Sequence, residues 1–204
     1  LSPSSAASDV YKRQPRGGSV VNIPSAYLRV HIPAKAAGAE TENQAKVVQF
    51  IKKIGMKHIK VFAPGTVANL GCGFDVMGLT LDGVGDLLEV GIEEGAGGLV
   101  IRNRSGKELP AKNEDNVITP AVMALLGAYE KPVRVEVTIL EKIAPGSGIG
   151  SSAASSAAAV WGVNELLGRP FSGERLVEFA MMGEALIGGT SHADNLSLIH
   201  ISEP

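Results

Sequence analysis

Cysteine is nearly absent from this chain: Cys72 is the one thiol in 204 residues. That excludes an intramolecular disulfide framework and fits a reducing compartment, so a cytoplasmic protein is expected. Histidine is scarce as well, with four residues, and no Cys/His cluster has zinc-ligand spacing. His31 and His58 stand alone and read as structural or solvated. Neither sign of charge dominates. The 19 Lys and Arg against 21 Asp and Glu leave a net charge of −2, which gives no electrostatic case for nucleic acid or an anionic membrane. No uninterrupted apolar run is long enough to span a bilayer. The N-terminal stretch has no apolar core of a secretory signal, and no internal repeat is visible. What is present is a 45% apolar chain, enough for one sizeable domain or one and a fraction.

The most informative stretch is Pro145-Gly146-Ser147-Gly148-Ile149-Gly150-Ser151-Ser152-Ala153-Ala154. It follows an alternating apolar run, Val133 to Leu140, and precedes an alanine-rich helical pattern. Strand, glycine-serine loop and helix together present backbone N–H groups to a phosphate. The glycines permit positive φ and close approach of an anion, and the helix start adds unpaired donors and the positive end of a dipole. Ser151 and Ser152 stand where a hydroxyl reaches a phosphate oxygen or a magnesium ion. The loop is not a Walker A motif, because no Lys follows its last glycine. Nor is it a dinucleotide fingerprint, because the glycines run G-x-G-x-G. A flexible linker is the plain alternative, though a linker rarely sits between an alternating strand and a strong helix former.

Two further segments carry polar groups in apolar surroundings. Gly65-Thr66-Val67-Ala68-Asn69-Leu70-Gly71-Cys72-Gly73-Phe74-Asp75 follows a short strand pattern, Ile59 to Ala63. Downstream, Glu184 lies in a helical pattern and is followed by Thr190-Ser191-His192-Ala193-Asp194-Asn195. Taken singly, Asn69 and Asp75 fit turn chemistry, Glu184 fits a solvated helix face, and His192 and Asp194 fit a polar loop.

The strand candidates are Ile59–Ala63, Gly85–Ile92, Gly98–Arg102 and Val133–Leu140. The acidic residues of the second are expected to line solvent. Helices are predicted over Asn116–Tyr129, Ser151–Leu167 and Gly173–Leu186, with Pro120 tolerated near the first helix start. Trp161 is expected in the core. Sheet plus helices on one face gives an α+β layer.

Taken together and in order, the three segments resemble the GHMP kinase superfamily, and within it the homoserine kinases. One departure is Cys72, where many members carry proline. The resemblance implies a ribosomal-protein-S5-like first domain over residues 56–195. It also implies ATP as co-substrate, Mg²⁺ as the metal, and transfer of a phosphoryl group to the hydroxyl of L-homoserine in threonine biosynthesis. Pro145, Gly146, Ser147, Gly148, Ile149, Gly150, Ser151, Ser152, Ala153, Ala154 and Ser155 would wrap the phosphates, and Asn116 would contact adenine. Ser152 and Glu184 would hold the magnesium. Asn69, Asp75, His192 and Asn195 would hold the amino acid, with Asp75 pairing its ammonium group. Asp194 and Asn195 would stand near the reacting hydroxyl; either Asp194 or the γ-phosphate would take the proton. Another GHMP kinase of mevalonate or sugar type, or a nucleotide-binding protein without catalysis, remain alternatives at this stage.

Residues 1–55 read as a non-native or disordered leader, with one helix candidate over Thr41–Ile54, and 196–204 as a foreign-looking tail. The resemblance further implies a second, ferredoxin-like domain and a homodimer. With that domain missing, the chain as written is expected to have little or no kinase activity.

Overall fold

The computed structural model describes residues 30–31, 57–68, 71, 77–188 and 194–200. Asn69, Asp75, His192 and the Thr41–Ile54 helix candidate lie outside them. Five strands form one mixed sheet: β1 Val30–His31, β2 Lys57–Ala68, β3 Gly78–Glu94, β4 Gly98–Asn103 and β5 Val133–Glu141, in the order β1-β2-β3-β5-β4. The pairs β1–β2, β2–β3 and β3–β5 are antiparallel, while β4 runs parallel to β5. Residues 30–31 fall in the stretch read as a leader and here extend the sheet edge.

The period-2 signal decides which face is buried. Along β5, Val133, Val135, Val137 and Ile139 are buried, and Arg134, Glu136 and Thr138 are half-buried. The same alternation in β3 buries Leu88, Val90 and Ile92, and it carries Asp86 to the core face with them. Asp86 is 0% exposed, so the expectation that this strand's acidic residues line solvent fails there. Glu89, on the opposite face, remains half-buried. The hairpin of β2 and β3 has a register shift between Pro64 and Thr66, a bulge that re-aims the strand beside the glycine-serine loop.

Four helices follow: α1 Ile118–Ala128, α2 Ser151–Leu166, α3 Gly173–Gly188 and α4 Asp194–His200. Helix α2 is the centre of the domain. It packs on β2 and β3, and also against α1, α3 and α4, so Ala153, Ala154, Ala157, Ala158, Ala159, Val160 and Val163 are all buried. Small side chains allow this enclosure. A Cβ at Gly162 would stand 2.9 Å from Val90 Cγ2, so α2 lies directly on the sheet. Trp161 packs against this core, as expected. The three helix predictions hold within two residues at each end. Helix α4 was not anticipated. Its Leu196 is 0% and its Ile199 9% exposed, so residues 196–200 pack into the domain although the sequence reading set them apart as a tail. Among the described residues, no helix is long and apolar enough to cross a membrane.

Candidate active site

The glycine-serine loop joins β5 to α2 at the end of the sheet where the β2 bulge lies. Gly146, Gly148 and Gly150 have φ of 75°, 76° and 67°, conformations costly for any residue with a Cβ. Pro145 to Gly148 form the exposed apex, while Ile149, Gly150, Ser151 and Ser152 are half-buried. Two backbone bonds fix the loop. Ser147 N–H donates to Ala144 O at 3.2 Å, and Thr66 N–H donates to Ile149 O at 3.1 Å. The amides are trans, so the Ile149 carbonyl turned toward β2 leaves the Gly150 N–H pointing the opposite way, out of the sheet. The Ser147 N–H, by contrast, is engaged within the turn.

Helix α2 begins without a side-chain cap: Gly150 is its N-cap and has no side chain to bond the first N–H groups. The first i→i−4 bond runs from Ala154 N–H to Gly150 O at 2.9 Å. The N–H groups of Ser151, Ser152 and Ala153 precede it and are the donors every helix start leaves over. Most helices cover such donors with Ser, Asp or Asn. This one offers them, with the dipole's positive end, beside a loop of glycines, an arrangement suited to an anion.

The serines divide sharply. Ser151 Oγ faces inward, accepting from Lys142 Nζ at 2.5 Å and donating to Ile143 O at 3.0 Å. Ser155 is 1% exposed, and its hydroxyl donates to Asp86 Oδ2 at 2.5 Å. The hydroxyl of Ser155 is therefore committed below the helix. Ser152 stands half-buried in the first turn of α2.

Beneath the loop lies a charged cluster that sequence reading missed. Lys142 Nζ donates to Asp86 Oδ2 at 2.8 Å and to Ser151 O at 2.6 Å. Asp86 Oδ1 accepts from Ile143 N–H at 2.8 Å. The side chains of Lys142 and Asp86 are 5% and 0% exposed. Burial pushes the Lys142 pKa below the ordinary lysine range; the Asp86 carboxylate, and then that of Glu184, act against this. Glu184 therefore lies within electrostatic reach of the loop's base. Packing agrees: a Cβ on the preceding Gly183 would stand 2.3 Å from Ser156 Oγ and 2.5 Å from Val117 O. Helix α3 is thus pressed onto α2 one helical turn beyond Ser152, and it brings Glu184 to that level.

Asn195, near the start of α4, reaches the same place. Its Oδ1 accepts from Thr66 Oγ1 at 3.0 Å and lies against Gly150. Asp194, half-buried, opens the same helix. Asn116 is 8% exposed, and its Oδ1 accepts from Ile118 N–H at 3.0 Å, so its carboxamide oxygen serves the start of α1. Lys142 carried no sequence signal, and Thr66 lay within a legible motif without a role of its own. Asp86 did, in its phase with Leu88, Val90 and Ile92.

Among the described residues, no three His, Cys, Asp or Glu side chains make a metal cage. Magnesium does not need one: it keeps its waters and takes one or two protein oxygens plus phosphates. A half-buried hydroxyl, Ser152, and a carboxylate within reach of Lys142, Glu184, are donors of the kind that set takes.

A family model described as GHMP kinases N terminal domain matches residues 116–200. The homoserine kinase of Methanocella arvoryzae is 42% identical over 142 residues, covering 70% of this chain and 45% of that protein. A crystal structure of a homoserine kinase from Cytophaga hutchinsonii is 40% identical, with a TM-score of 0.60 over 69% of this chain and 45% of that one. A mevalonate kinase structure shares the fold, with a TM-score of 0.52 at 19% identity over 69% of this chain and 51% of that one. The chain spans about half the length of the curated relatives it matches. The sheet, the uncapped glycine-led helix and these likenesses agree: the chain carries a GHMP kinase N-terminal domain, and over that stretch it is similar to homoserine kinases.

Proposed function

We propose that the full-length protein phosphorylates L-homoserine with ATP, giving O-phospho-L-homoserine in threonine biosynthesis. The observation that supports this best is the uncapped start of α2, with Asn195 seated against its N-cap glycine. In this reading, the amides of Gly150, Ser151, Ser152 and Ala153 bind phosphate oxygens, and the dipole of α2 favours their negative charge. Asn116 contacts adenine. Ser152 and Glu184 would hold magnesium, which would supply positive charge against the polyphosphate. Asp75 pairs the substrate ammonium, and Asn69, His192 and Asn195 hold the rest of the amino acid. The substrate hydroxyl forms a bond to the γ-phosphorus as the bond to the β-phosphate oxygen breaks. Its proton goes to Asp194 or to the γ-phosphate. Phosphoryl transfer asks mainly for positioning and charge stabilisation, which is what rigid amides on a buried helix provide. The protein is read as a cytoplasmic homodimer.

A substrate panel on the full-length protein tests this. Homoserine should be phosphorylated in preference to mevalonate and galactose, and the reverse order would overturn the assignment. Glu184→Gln should lower kcat by about 10²–10³, the range for losing an electrostatic stabiliser, with folding intact. Unchanged turnover would leave only nucleotide binding.

A further inference from the structure

We infer that Thr66 is a positioning residue that sets the carboxamide of Asn195 as a hydrogen-bond donor toward the reacting oxygens; this rests on the kinase reading above. Thr66 sits at the β2 bulge, 0% exposed, and meets two parts of the site at once. Its N–H holds the Ile149 carbonyl of the loop at 3.1 Å. Its hydroxyl donates to Asn195 Oδ1 at 3.0 Å. Gly150 fills the space between them: a Cβ there would stand 2.3 Å from Thr66 Oγ1 and 3.3 Å from Asn195 Oδ1. The loop, the bulge and the start of α4 therefore share one contact.

A hydroxyl has one hydrogen, and this one is given to Asn195. That fixes which limb of the planar amide faces Thr66: the oxygen. The Nδ2 hydrogens then point away from Thr66. A group that must meet phosphate or alcohol oxygens needs its donors outward, because a carbonyl turned toward an anion repels it. Without the hydroxyl, Thr66 no longer selects the oxygen limb. The residue acts through Asn195 and is not required to touch substrate.

The test compares Thr66→Val, which keeps the shape and removes the donor, with Thr66→Ser, which keeps the donor. In full-length protein, Thr66→Val should lower kcat about 10–100-fold, within the loss that an ångström of misplacement brings. The KM for ATP should stay within about three-fold, and Thr66→Ser should restore most of the rate. Equal activity in both variants and wild type would overturn the inference. So would equal impairment in both, because keeping the donor in Thr66→Ser would then preserve nothing. A second measurement does not depend on turnover. In this chain, the side-chain NH₂ resonances of ¹⁵N-labelled Asn195 should move in Thr66→Val and stay near wild type in Thr66→Ser. Unmoved resonances would overturn the coupling. If the resonances move while wild type phosphorylates nothing, the kinase reading fails and the Thr66–Asn195 contact stands.

Discussion

The buried pair of Asp86 and Lys142 makes the sharpest prediction about how the loop is held. Lys142→Met removes the ammonium and leaves a carboxylate, 0% exposed, with only Ile143 N–H and the Ser155 hydroxyl among its partners. Asp86→Asn keeps an acceptor for Ile143 but points an amide N–H toward Lys142 Nζ, whose charge then has no counter-ion at its Asp86 contact. Breaking a buried pair from one side typically destabilises by about 3–5 kcal/mol, a large part of the roughly 5–15 kcal/mol that holds a domain together. With an m-value of about 2 kcal/mol/M, the urea midpoint should fall by about 2 M for either single variant. Trp161, the chain's one tryptophan, lies on α2, so its fluorescence reports the melt directly. The double variant Asp86→Asn/Lys142→Met buries no isolated charge. It should be no less stable than the worse single variant, so the coupling is at least the smaller single effect, about 3 kcal/mol, at the upper end for contacting residues. Nucleotide affinity should stay low in the double variant all the same, because Ser151 has lost the donor that turns it inward. Additive single effects, or single effects under about 1 kcal/mol, would refute the reasoning, since both require that the charges remain solvated.

Three other outcomes follow from the same geometry. Gly150→Ala adds a Cβ 2.3 Å from Thr66 Oγ1 at a φ of 67°, where a left-handed non-glycine residue alone costs about 1–3 kcal/mol; calorimetric nucleotide titration should show binding lost, and retained affinity would disprove the tight seat. Gly183→Ala must push α3 off Ser156 and Val117, with about 1–3 kcal/mol lost to overpacking in urea melts, and a stability equal to wild type would mean the helices are not in that contact. The folded pKa of Lys142 lies below its unfolded 10.5, so between those values the unfolded state binds more protons and stability rises with pH. The stability of wild type relative to Lys142→Met should therefore climb toward pH 10.5, and a fall over that window would reverse the assigned sign.

Most of the sheet and the three long helices were legible because each carries a single local signal: alternation in Val133–Glu141, small residues in Ser151–Leu166, glycine at the strand-to-helix turn. What was illegible depends on contacts between segments distant in sequence. Asp86 reads as a solvent-facing acid until its phase with Leu88, Val90 and Ile92 is counted. Even then, its partner Lys142 stands just past the end of β5, 56 positions further along the chain. Ser151 and Ser152 are adjacent and chemically alike. Only the position of Lys142 under the helix start marks the Ser151 hydroxyl as the inward one. Thr66 lies within a motif legible in the sequence, yet its role depends on Asn195, 129 positions away. Helix α4 is too short for a periodic signal, and what secures it is the burial of Leu196 and Ile199.

The charge balance beneath α2 bears on how a polyphosphate can bind there at all. In the proposed site the Glu184 carboxylate, which acts electrostatically on Lys142, stands at the base of a helix end worth about +0.5. A phosphate charge about 6 Å from Glu184, at an effective dielectric of about 20, meets roughly 3 kcal/mol of repulsion, close to 100-fold in affinity. A bridging divalent cation converts that repulsion into attraction, whereas a metal-free nucleotide bears it in full. Titrations in EDTA should therefore show metal-free ATP binding far more weakly than in excess magnesium. Glu184→Gln should narrow the gap from both sides, weakening the magnesium complex and strengthening the metal-free one. If Glu184→Gln leaves metal-free affinity unchanged, its carboxylate does not face the phosphates, and the metal assignment to Ser152 and Glu184 falls with it.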